Sequence, residues 1–173
     1  VVVLAVVVVV LGVMWFQINR LVKFGVEKGG TTVLGVETKL DDADVSIIGG
    51  SAALNGLTLA NPEGFQKEHM FRMKHARAGV NPWSLRSQSI FIREVVVEGT
   101  DVIMEFKGTK TNWQEVMNRM ERGPEEEKEV PPGEQKRYQI KHLVFRDGRV
   151  HVAGLPAKVE GGVKLPDIEM RNL

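Results

Sequence analysis

Ile92-Arg93-Glu94-Val95-Val96-Val97-Glu98-Gly99-Thr100-Asp101-Val102 returns, position by position in character, as Ile140-Lys141-His142-Leu143-Val144-Phe145-Arg146-Asp147-Gly148-Arg149-Val150. Each copy is one apolar residue, two polar ones, an apolar-x-apolar triplet and then a turn signal. Leu54-Asn55-Gly56-Leu57-Thr58-Leu59-Ala60-Asn61 fits the same template, and Met170-Arg171-Asn172-Leu173 opens a further copy. The apolar phase shifts at the two polar residues, as a bulge or strand entry would cause. Repetition of a strand-turn-strand unit predicts stacked or meandering antiparallel hairpins. Ordinary antiparallel alternation is the plainer account of the same pattern.

Working outward, the period-two pattern begins at Val36. The expected strands are 36–48, 52–60, 71–80, 89–98, 101–107, 137–146, 149–155 and 158–169. Gly49-Gly50, Asn61-Pro62-Glu63-Gly64, Gly99-Thr100 and Asp147-Gly148 punctuate them, and Asp147-Gly148 reads as a hairpin turn. Asn81-Pro82 starts a short turn or helix, with Asn81 as cap and Trp83 and Leu85 buried behind it. One longer helix interrupts the strands at 111–122. Thr111 and Gln114 form a capping box there, and Trp113, Val116, Met117 and Met120 share a face. Residues 123–136, with five glutamates, read as a solvated acidic loop.

Upstream, residues 1–19 carry no charge and 1–16 are almost wholly apolar. Sixteen helical residues span about 24 Å against a hydrocarbon core of about 30 Å. Trp15 and Phe16 stand where an aromatic belt belongs, followed by Arg20 and Lys23. The expectation is a transmembrane anchor helix over 1–29, with Val1, Leu4, Leu11, Met14, Trp15 and Phe16 as its membrane residues. An extramembrane extension ends at Gly29-Gly30. Ile18, Leu21, Val22 and Val26 would pack on the adjoining domain. Residues 30–173 then form one β-rich extramembrane domain. The chain opens on Val1 rather than Met and reads as a fragment of a longer protein. The fold expected is thus mainly β, an antiparallel meander with groove-like repeats, with one N-terminal transmembrane helix and one short helix outside the membrane.

Composition narrows function more than it names it. Twenty-three basic and 22 acidic residues give a net charge of +1, and no aromatic-basic platform argues for nucleic acid. Cysteine is absent, which removes disulfides and thiolate chemistry. No G-x-S-x-G, H-E-x-x-H, P-loop or dinucleotide fingerprint occurs. His69, His75, His142 and His151 show no metal-ligand spacing, and Asp41-Asp42-Ala43-Asp44 lacks the glycine and distal glutamate of a calcium loop. The expectation is a non-enzyme with no cofactor and no metal. Both faces of the repeated strands are apolar at Val96 and Val144, so a second apolar layer needs cover. Val96, Val144, Trp113 and Met117 are therefore the candidate contacts to lipid or a protein partner.

The order of several segments resembles the N-terminal region of AsmA-like envelope proteins. These are the apolar helix through Lys28, Gly35-Val36-Glu37-Thr38-Lys39-Leu40, Asp44-Val45-Ser46-Ile47-Ile48-Gly49-Gly50, Leu54 through Phe65, Asn81-Pro82-Trp83-Ser84-Leu85, Ile90 through Val97, and Thr111-Asn112-Trp113. The resemblance implies a bacterial inner-membrane anchor, a single pass, and a periplasmic β-rich domain in lipid handling or membrane biogenesis. Membrane lipids and membrane-protein partners go with it, and no catalytic residues. The alternative is an accessory subunit of a larger integral-membrane complex.

Overall fold

The computed structural model describes residues 2–121, 137–155 and 161–173. Val1 and the acidic stretch 123–136 lie outside the described residues, as do the start of the strand expected at 158–169 and the side chains of 2–11, 13–16 and 85.

β5 (Ser89–Lys107) is the spine of the sheet. On one side it pairs antiparallel with β4 (His69–Val80), which pairs with β3 (Ser51–Ala60). Two short strands, β1 (Thr38–Lys39) and β2 (Asp42–Ser46), share the outer edge of β3. On its other side β5 is flanked end to end by β7 (Arg137–Ile140), β8 (His142–Arg146) and β9 (Arg149–Ala153), all parallel to it. β10 (Gly161–Lys164) and β11 (Ile168–Arg171) close that side, antiparallel to β9 and β8. β6 (Lys110–Thr111) folds back on the end of β5.

The sheet is therefore mixed, which corrects the antiparallel meander expected from the repeat. The two copies are not consecutive hairpins. They lie side by side in parallel, each residue beside the one 48 positions later, from Ile92–Ile140 through Val96–Val144 to Val102–Val150. Identical patterns stack in this way because apolar positions then meet apolar positions on both faces. A parallel partner requires a long return connection, and the chain between Lys107 and Arg137 carries it, helix α2 (Asn112–Glu121) included. The phase shift inside each copy has a structural counterpart. Gly79 faces Glu94 but Val80 faces Ile92, so Arg93 bulges out of the ladder, and the chain bends at Lys141 between β7 and β8.

Gly99-Thr100 and Asp147-Gly148 do not reverse the chain either. β5 runs straight through the first, and β8 and β9 are successive lengths along one edge rather than a hairpin. Gly56, Gly99 and Asp147 share one row across β3, β5 and the β8–β9 junction, with φ of +64°, +65° and +51°. Left-handed residues suit Gly and Asp locally. Aligned across strands of the same direction, they kink the sheet along a line instead of ending strands.

At the other extreme is α1 (Val2–Leu34), one helix that carries through Gly29-Gly30 and stops at Gly35, whose φ of +66° and N–H bond to the Thr31 carbonyl make a glycine cap. Among the described residues no helix is long and apolar enough to cross a membrane. The transmembrane anchor is thereby overturned, and with it the single-pass placement in a bacterial inner membrane with a periplasmic domain. The physical reason lies in the polar residues beyond Phe16. Asn19 Oδ1 accepts from the Val45 amide (2.9 Å), and Lys23 Nζ donates to the Asp41 carbonyl (2.9 Å). Glu27 Oε1 accepts from the Leu40 amide (3.0 Å), and Thr31 Oγ1 from the Thr38 amide (3.0 Å). These four polar side chains, each one turn apart, satisfy outward backbone groups of β1, β2 and the Leu40-Asp41 link between them. The helix caps a sheet edge that would otherwise be open.

Ile18, Val22 and Val26 are half-buried beside that polar stripe, whereas Leu21 faces outward at 69% exposure. The main apolar cluster joins Val36, Met70 and Val116 with Leu34, Leu59, Phe71 and Trp113, at the end of the sheet covered by α2.

Candidate functional site

The capping box at α2 closes reciprocally: Gln114 Oε1 accepts from the Thr111 amide (3.0 Å), and Thr111 Oγ1 from the Gln114 amide (3.1 Å). That start places Asn112, fully buried, to donate to the Ile103 carbonyl and Asn61 Oδ1 and to accept from the Glu105 and Trp113 amides. Glu105, 4% exposed, accepts from Asn61 Nδ2 (2.6 Å) and from the Gln66 (2.6 Å) and Lys67 (2.9 Å) amides. A buried carboxylate with three donors is a structural pin for the 61–68 loop. Its signal in the sequence is an acid flanked by Ile103, Met104 and Phe106.

A second polar cluster joins β4, β5 and β9. Asp101 lies between His69 (Nε2–Oδ2 3.3 Å) and His151 (Nε2–Oδ1 3.0 Å), beside a cavity of about 270 Å³. His69 thus meets His151 through Asp101, while His75 Nδ1 sits 2.7 Å from Asn55 Oδ1. The two histidines approach different oxygens of one carboxylate. Among the described residues no group of three is placed to hold a metal ion.

The four residues singled out for lipid or partner contact are dispersed. Val96 and Val144 are register neighbours, half-buried and 3% exposed respectively. Trp113 is half-buried, its Nε1 donating to the Ile103 carbonyl (3.1 Å), and belongs to the apolar cluster. Met117 alone is open, at 56%. Of the expected membrane residues, Leu4, Leu11, Met14, Trp15 and Phe16 fall in α1, with their side chains outside the described part, and Val1 lies outside it altogether.

Besides the exposed apolar residues of α1, α2, β10 and β11, a further group lies at the pole of the sheet opposite α2. The turn between β2 and β3 presents Ile47 and Ile48, and the short 3-10 helix Pro82–Arg86 presents Trp83. Asn81 caps that helix as expected, accepting from the Trp83 amide, but the indole turns outward at 82% exposure. Phe91 at the start of β5, Tyr138 on β7 and Leu173 complete the patch. Backbone bonds bring these segments to the same end: Val80 N to Gly50 O, Asn81 N to Phe91 O, Arg137 N to Gln88 O, and Ile140 N to Leu173 O. Two open grooves cross this pole. One of about 510 Å³ runs over Val45, Ile47, Ala78, Val80, Pro82 and Trp83. The larger, about 830 Å³, runs over Phe91, Tyr138, Ile140 and Leu173, with Arg93, Arg137 and Lys141 on its rim. Sequence reasoning misses this pole because its residues come from four separate turns and strand ends. Comparison with family models and with curated proteins returns no match to this chain.

Proposed function

We propose that this β-domain is a non-catalytic lipid-handling module of AsmA-like type, which holds acyl chains at its apolar pole. The observation that carries the reading is the set of exposed apolar residues at one end of the sheet, Ile47, Ile48, Trp83, Phe91, Tyr138 and Leu173, with two separate open grooves among them. Exposed apolar residues grouped at one end of a domain are what a surface that binds acyl chains would present. The resemblance of 35–40, 54–65 and 81–85 to AsmA-like segments supports the same reading. Organic extraction and mass spectrometry of the purified full chain should find bound acyl species. Trp83→Ser with Tyr138→Ser, both at exposed positions, should lose them with an unchanged circular dichroism spectrum. Acyl content equal in both proteins would refute the assignment to this pole.

A second reading, an accessory subunit, is favoured by a different observation. β10 and β11 are exposed, and among the described residues no strand pairs with their outer sides, an arrangement that could accept a partner's strand. Stoichiometric co-purification of a protein, lost on proline substitution at Met170 and untouched by Trp83→Ser, would select it.

A further inference from the structure

The two edges of the sheet differ. Side chains of α1 cover the edge formed by β1 and β2, whereas among the described residues no strand pairs with the outer sides of β10 and β11. β10 and β11 keep one register along β9 and β8: Lys164 lies opposite Arg149, and Ile168 opposite Phe145. They are two lengths of one edge, with Leu165-Pro166-Asp167 between them. Pro166 brings no N–H to that edge and parts it into two short lengths. β10 opens on Gly161-Gly162, which offer a partner no side chains. β11 offers Ile168 and Met170 on one face and Glu169 and Arg171 on the other, all exposed.

The order Glu169-Met170-Arg171 is self-complementary. A second copy of the strand running the other way presents Arg, Met and Glu in turn. With Met170 opposite Met170 of the second copy, each Glu169 meets an Arg171. A slip of two residues either way sets Glu169 against Glu169 or Arg171 against Arg171. A twofold contact requires such a pattern, residue i meeting j while j meets i. Within one copy Arg171 turns to its own Glu169 (2.7 Å), which also contacts His142 (2.9 Å), so the contact across the twofold gives each charge a further partner. Because α1 covers the opposite edge, β11 has no second edge to meet, and the assembly closes at two instead of running on as a fibre.

We propose that β11 pairs with β11 of a second copy of this chain, antiparallel and centred on Met170, joining two sheets edge to edge. This pairing is independent of acyl binding. It gives the edge behind the accessory-subunit reading an occupant of known sequence.

Sedimentation equilibrium of the full chain should show a monomer–dimer balance that shifts with concentration, since a contact this short buries far less than a lasting interface does. Glu169→Arg and Arg171→Glu each turn two attractive pairs into two repulsive ones, and each should weaken the dimer by roughly tenfold or more. An equal mixture of the two variants should dimerise again, because in the mixed pair every arginine faces a glutamate. Glu169→Arg combined with Arg171→Glu in one chain should behave as the unaltered protein. Trp83→Ser with Tyr138→Ser should leave the balance unchanged. A chain that is monomeric at its highest soluble concentration, single variants that dimerise as before, or a mixture that stays monomeric would each overturn self-pairing. A dimer lost on substitution of Trp83 and Tyr138 would overturn it too, and place the contact at the apolar pole. Any failure confined to the Glu169 and Arg171 variants leaves acyl binding untouched and leaves a foreign strand at this edge to be judged by co-purification.

Discussion

Glu105 shows how much one side chain can hold. It is a buried acid among Ile103, Met104 and Phe106 in β5, tolerated because three N–H groups converge on it. Glu105→Gln keeps the shape but turns an NH2 toward backbone donors that need an acceptor. It should cost about 1–3 kcal/mol in chemical denaturation, with loosening confined to the 61–68 loop in amide exchange. An unchanged midpoint would mean that the loop is held by other contacts. At the same scale, Trp83 marks the limit of local reasoning. Its cap is readable from Asn81-Pro82, but which way the indole points depends on the turn at Gly49-Gly50 packed beside Pro82.

At the scale of elements, α1 is an edge strand's partner built from side chains. Asn19, Lys23, Glu27 and Thr31 recur every four residues and so line one face of a helix. Glu27→Ala should speed exchange of the Leu40 amide, by a factor matching about 0.5–1.5 kcal/mol for one lost hydrogen bond, and Glu27→Gln should recover most of it. No change at Leu40 would show that packing of Val22 and Val26 alone covers the edge. β11 is held by its ladder to β8, to which the exposed Glu169 adds a contact with His142. The Arg171 guanidinium, and after it His142, keeps the Glu169 carboxyl below its ordinary value of 4.5. A carboxyl lowered in the folded state stabilises above its ordinary value and loses that contribution as pH falls through the folded one. Protection of β11 amides, corrected for intrinsic rates, should therefore stay level down to about pH 4.5 and fall below it. Glu169→Gln should flatten that fall; a fall unaltered by the substitution would place the titrating group elsewhere.

At the scale of the whole molecule, the sequence by itself determined the strand-rich domain after Val36, the capped helix at Thr111 and the likeness of 92–102 to 140–150. Alternation, caps and repeated spacing are local patterns, and local geometry follows from them. Only the tertiary structure decided what the turn signals meant. Gly99 and Asp147 permit a left-handed backbone, and that backbone serves a hairpin or a kink equally well. In the fold they serve a kink, and the two copies lie side by side in parallel register. Tertiary packing also decided the role of α1, whose apolar start suggests a membrane span while its second half is committed to the β1–β2 edge through bonds between residues 7 to 26 positions apart. The apolar pole is of the same kind. Ile48, Trp83, Phe91, Tyr138 and Leu173 share no period in the chain, and only the sheet's register brings them to one end.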